Sequence, residues 1–84
     1  MADDWTVYLL KCSDGTLYCG VTNDLDKRVA AHNAGRGAKY TRGRGPITVV
    51  AFRAGLTKSA AMKLEYAVKQ QPRANKVDYL ERNT

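Results

Sequence analysis

The apolar positions of this chain fall into two kinds of pattern, short dense runs closed by turn residues and longer stretches with helical spacing. Trp5 to Cys12 is rich in Trp, Val, Tyr and Leu and meets Ser13-Asp14-Gly15 at once, which predicts a strand ending in a turn. Thr16 to Thr22 predicts a second strand, so residues 5 to 22 form a β-hairpin, after a frayed start at Met1 to Asp4. The turn type decides which side chains share a face. A two-residue loop at Asp14-Gly15 would pair Ser13 with Thr16 and separate Tyr8 from Tyr18. A three-residue loop with Gly15 in the left-handed conformation pairs Cys12 with Thr16, Tyr8 with Gly20 and Leu10 with Tyr18. The second register is preferred. It puts both tyrosines on one face, leaves room beside Tyr8 at Gly20, and sends Cys12 and Cys19 to opposite faces, against their pairing.

Asn23 is the predicted cap of a first helix, with Asp24 and Asp26 in its opening turn, where negative charge suits the helix dipole. The helix runs to about Asn33 and Gly35 ends it. Leu25 and Val29 form its apolar stripe, and Arg28 and His32, one turn apart, lie along the edge of that stripe. Pro46 leads into Ile47 to Ala54, a near-continuous apolar run that predicts a third strand buried on both faces. Thr57 caps a second helix reaching about Gln71, with Ala60, Leu64, Ala67 and Val68 as its buried stripe and Glu65 at the margin. Pro72 breaks it. A last helix, roughly Arg73 to Glu81, packs Ala74, Val77 and Leu80 on the body.

The 84 residues suffice for one domain, with a core spanning about residues 5 to 81. Two cysteines are too few for a disulfide framework, and the chain has neither a signal peptide nor a membrane-length apolar run. A soluble, cytoplasmic protein is expected. The net charge of +6 is unevenly spread: between Lys27 and Lys76 stand twelve Lys or Arg residues and a single acid, Glu65. Such a field draws in polyanions. Within it, the stretch from Gly35 to Gly45 carries Arg36, Lys39, Arg42 and Arg44 around Tyr40 and Thr41. Flexible glycines let backbone amides approach phosphates, and an aromatic among cations can stack on a base. The GK[ST] ending of a nucleotide-binding P-loop is missing.

Tyr8, Tyr18, Arg28 and His32 follow one another at ten, ten and four residues. Taken singly they have ordinary explanations: the tyrosines as half-buried strand residues, His32 as a packed histidine, Glu65 as the partner of a neighbouring lysine. Gathered into one polar cluster by a hairpin and a helix, with Glu65 added from the second helix, they suit the cutting of a phosphodiester. Two distant cysteines and one histidine do not make a zinc site, and no Ser-His-Asp pattern stands out.

In its motifs the chain resembles the GIY-YIG nuclease superfamily, most closely the small stand-alone bacterial members. The first motif stands here as Thr6-Val7-Tyr8 and the second as Tyr18-Cys19-Gly20, followed by Arg28, His32 and Glu65 in the family's order. Further matches are Cys12-x-Asp14-Gly15, Asp24-Leu25-x-x-Arg28, His32-Asn33-x-Gly35-x-Gly37 and Ala38-Lys39-Tyr40-Thr41-Arg42. Thr6 replaces a glycine, Cys19 an isoleucine, and Val21 the lysine of some repair nucleases. Asn75 does not stand at the usual spacing of the family's late asparagine.

The resemblance implies an α+β fold, a three-stranded antiparallel sheet flanked by helices. It also implies hydrolysis of DNA with Mg2+ or Mn2+ held by Glu65, Arg28 on the phosphate, Tyr18 or Tyr8 as the base, and His32 as a proton relay. A single carboxylate leaves most of the metal's shell to water and phosphate, as Mg2+ prefers. Single-stranded or branched DNA is the expected substrate, because so small a surface makes few base contacts. Selectivity then comes from the loop of Arg36 to Arg44, DNA shape, a homodimer or a protein partner. A nucleic-acid-binding module with a weak or silent nuclease site is the alternative.

Overall fold

The computed structural model describes residues 4–35 and 46–82. In order along the chain come β1 (Trp5–Lys11), β2 (Leu17–Thr22), α1 (Leu25–Asn33), β3 (Thr48–Leu56), α2 (Lys58–Lys69) and α3 (Arg73–Arg82). The turn between β1 and β2 sets the register. Gly15 has φ 85°, which only glycine adopts freely, and its N–H donates to the Cys12 carbonyl at 2.9 Å. The Cys12 N–H donates to the Thr16 carbonyl at 2.9 Å, and the Asp14 carboxylate accepts from both the Thr16 N–H (3.1 Å) and its hydroxyl (2.7 Å). This is the three-residue loop. It pairs Tyr8 with Gly20 and Leu10 with Tyr18, the expected register.

The sheet is antiparallel with strand order β2-β1-β3. Strand alternation gives it two apolar faces. Val7, Leu9, Cys19 and Ala51 face α2 and α3, meeting Ala61, Val68 and Leu80; Tyr8, Leu10, Cys12 and Ile47 face α1, meeting Leu25 and Val29. Cys12 and Cys19 are buried, free and on different faces.

The third strand departs from expectation. It is an edge strand rather than one buried on both faces, with Phe52 56% and Val49 37% exposed. The central place belongs to β1, and a register shift opposite Leu9 and Leu10 acts as a bulge: Val50 and Ala51 both turn toward the α2–α3 core, leaving Val49 and Phe52 on the α1 side. Continuous apolar spelling here reflects the bulge.

The helix ends hold smaller corrections. Asp24, not Asn23, caps α1, accepting from the Lys27 N–H at 3.2 Å, while its own N–H donates to the Thr22 hydroxyl at 3.1 Å. Gly35 (φ 78°) closes the helix as expected, its N–H donating to the His32 carbonyl. Thr57 caps α2 through the Ala60 N–H at 3.0 Å, but Ala61 rather than Ala60 lies in the core, so the buried stripe is centred nearer Glu65. The helix stops at Lys69, short of Gln71, where Lys76 Nζ donates to the carbonyls of Val68 and Lys69 at 3.1 Å each. On α3, Leu80 is buried and Val77 and Tyr79 pack beside it; Ala74 points to solvent.

Gly20 is where packing is tightest. A Cβ there would lie 2.5 Å from Tyr8 Oη and 2.7 Å from its Cζ, with Tyr18 at 3.2 Å. Gly20→Ala is therefore expected to cost about 1–3 kcal/mol of stability, read from urea unfolding, because the Tyr8 ring must move.

A candidate active site on the α1 face of the sheet

Three elements aim side chains at one spot. Tyr8 on β1 and Tyr18 on β2 project from the same sheet face, their ring centroids 6.4 Å apart. Arg28 and His32, one turn apart on α1, come down on them: the His32 ring lies 6.1 Å from Tyr8 and 5.4 Å from Tyr18. Tyr8 Oη and His32 Nε2 are 3.3 Å apart, and the Arg28 guanidinium lies near both phenols, Tyr8 foremost, which raise its pKa. Asn33 anchors this helix end. Its Oδ1 accepts from the Ile47 N–H at 2.8 Å and its Nδ2 donates to the Ile47 carbonyl at 3.3 Å, tying α1 to the start of β3.

Arg28 can only donate, so toward the phenols its guanidinium is the donor, whereas between Tyr8 and His32 the imidazole tautomer sets which group donates. Burial, and after it the Arg28 charge, lowers the imidazole below its ordinary 6.5. Burial also raises the Tyr8 phenol above 10, with Arg28 opposing and Tyr18 adding to the rise. Tyr8 is 1% exposed, whereas Tyr18 is only half-buried.

Glu65 is not in this cluster. It stands on α2, across the sheet, paired with Lys69 Nζ at 3.3 Å and close enough to Cys19 that, after burial, its charge helps push the thiol's pKa up to about 11. Yet the two layers meet at the free edge of β2. There a cavity of about 180 Å³ is lined by Leu17, Tyr18, Cys19, Lys69 and Lys76. Among the described residues no three His, Cys, Asp or Glu side chains converge on a common point. The carboxylate next to this cavity is Glu65, half-buried and paired with the Lys69 that lines it; a single carboxylate is a donor set compatible with a largely hydrated divalent ion. Arg36, Lys39, Tyr40, Arg42 and Arg44 lie outside the described residues.

The family model of the GIY-YIG catalytic domain matches residues 4–78. The chain belongs to the GIY-YIG family. A UPF0213 protein of Halobacterium salinarum is 56% identical to it over 70 residues, 83% of this chain and 91% of the relative. Two solution NMR structures share its fold. The UPF0213 protein BH0048 from Bacillus halodurans has a TM-score of 0.57 and 47% identity, over 92% of this chain and 82% of that one. The protein EF2693 from E. faecalis has a TM-score of 0.62 and 38% identity, over 90% and 81%. Membership in a family of catalytic domains points to nuclease activity, with DNA as the substrate it suggests. No helix among the described residues is long and apolar enough to cross a membrane.

Within this GIY-YIG domain, Asn33 is the positioning residue that local sequence reading passes over. It reads as the end of a helix, and its partner is 14 residues away. The lowered His32 pKa has a consequence for stability. The imidazole stays neutral in the fold but takes up a proton in the unfolded chain as pH drops below 6.5, so stability is full above that value and lost as pH falls through the window beneath it. Urea midpoints should decline from pH 7.5 to 5.5, and His32→Gln should flatten that decline.

Proposed function

We propose that this protein is a divalent-metal-dependent endonuclease that hydrolyses phosphodiester bonds of single-stranded or branched DNA. The observation that carries the reading is the convergence of Tyr8, Tyr18, Arg28 and His32 over the gap at Gly20. Arg28 offers a guanidinium fork to a non-bridging phosphate oxygen, held in place by two phenols. Of the two tyrosines, Tyr8 is buried, with its pKa raised and its oxygen engaged 3.3 Å from His32 Nε2. We therefore assign Tyr18, the more accessible, as the group that takes the proton of the attacking water. Tyr18 takes that proton as a phenolate: its own phenol proton passes first to neutral His32, whose ring lies 5.4 Å away, and the Arg28 charge faces the phenolate until the water proton restores the phenol.

Glu65 is the residue assigned to hold Mg2+ or Mn2+, and leaving the Lys69 ion pair is part of that role. When bound, such an ion supplies Lewis-acid stabilisation of the leaving oxygen. The Glu65–Lys69 pair is also the observation that favours a second reading, a nucleic-acid-binding module in which cleavage is weak or silent.

Labelled single-stranded, branched and duplex DNA incubated with Mg2+ or Mn2+ separates the two. Cleavage of the first two by the wild type is expected, falling about 100-fold or more in Glu65→Ala and by about 10²–10⁴ in Tyr18→Phe. Equal binding by wild type and Glu65→Ala, with cleavage by neither on any DNA, would establish the binding module instead.

A further inference from the structure

We propose that Phe52 is a stacking platform for an unpaired DNA base next to the phosphate held at Arg28; this rests on the nuclease reading and names how the site selects a single strand. Phe52 is the one phenylalanine of the chain, sits on a strand and is 56% exposed. It pairs directly with Tyr8 across the β1–β3 ladder, so the two side chains stand side by side on one face, with neighbouring Cβ atoms about 5 Å apart in such pairs. One row of that face thus reads Gly20, Tyr8, Phe52, and the next row Tyr18, Leu10, Val49.

The α1 helix covers only part of these rows. Its apolar side chains pack on the Tyr8, Leu10, Cys12 and Ile47 cluster, leaving Phe52 and Val49 open beside the polar groups. The bulge in β3 is what turns both of them to this side, so an exposed aromatic ring stands at the border of the Tyr8, Tyr18, Arg28 and His32 cluster. Charge selects the ring's partner. The protein carries +6, and Arg28, the cation of this cluster, stands by the tyrosine that flanks Phe52. A polyanion with flat apolar faces along its length meets both demands at once. A duplex does not, since its base faces are already stacked on each other, whereas a single strand presents them to an aromatic ring.

The test is binding of a fluorescein-labelled single-stranded oligodeoxynucleotide in EDTA, so that cleavage plays no part, with the same sequence as a duplex beside it. Because Phe52 is exposed, its variants should fold. Phe52→Ala should weaken single-strand binding by about 5- to 30-fold and leave duplex binding unchanged, while Phe52→Tyr restores the wild-type value. In Phe52→Trp the indole emission should be quenched by the single strand, beyond any change from Trp5 in the wild type. Single-strand affinity unaltered in Phe52→Ala, an equal loss on duplex, or an unquenched indole in Phe52→Trp would each overturn the platform. So would a homodimer of the free protein that Phe52→Ala dissolves, because the ring would then be covered by a second copy. The nuclease reading fails separately: a wild type that cuts while Phe52→Ala binds normally keeps the nuclease and loses the platform, and a wild type that never cuts while Phe52→Ala loses single strands does the reverse.

Discussion

The close approach of Tyr8 to Gly20 is the contact on which the rest of the site depends. It exists because a three-residue turn, with Gly15 at φ 85°, fixes the hairpin register one residue away from the alternative. A one-residue slip would send every side chain of β2 to the other face. Tyr18 would then look toward α2, Val21 would crowd Tyr8, and Arg28 would have one phenol beside it instead of two. With the register set, a missing side chain makes the space into which the Tyr8 ring leans, and α1 can lower Arg28 and His32 onto it.

Electrostatics then gives the cluster its order. A buried phenol, a buried imidazole and a guanidinium stand together, with Tyr8 Oη 3.3 Å from His32 Nε2 and the Arg28 charge acting on both phenols. One positive charge serves the whole group. Because both neighbours are neutral, that charge is not cancelled inside the protein and stays available to an anion. The carboxylate in our account is kept apart, on the other side of the sheet, where Lys69 balances it. Such separation prevents Arg28 from pairing with Glu65 and spending both groups on each other.

Much of this was readable from the chain because it rests on short-range rules. The hairpin, its register, the Gly35 stop and the Thr57 cap each follow from a turn or cap residue and its neighbours. The grouping of Tyr8, Tyr18, Arg28 and His32 follows from strand period two and helix period 3.6 acting on known elements. What escaped depends on contacts distant in sequence. Continuous apolar spelling of Val49 to Phe52 looks like a strand buried on both faces, but only the pairing with β1 shows a bulge at an edge. Asn23 and Asp24 are both good caps, and the Thr22 hydroxyl decides between them. Ala60 and Ala61 are one residue apart in a stripe whose centre is set by where the sheet lies. Asn33 bonds Ile47, fourteen residues further along, so nothing near it in sequence hints at the contact.

The central claim is that a DNA strand lies across the α1 face of the sheet. An NMR titration of the 15N-labelled protein with a cleavage-resistant, phosphorothioate single strand tests it most directly. The largest shift changes should fall on Tyr18, Gly20, Phe52 and the Arg28 side-chain N–H. Changes confined to the outer side of α2, around the exposed Met62 and Tyr66, with the α1 face silent, would contradict it.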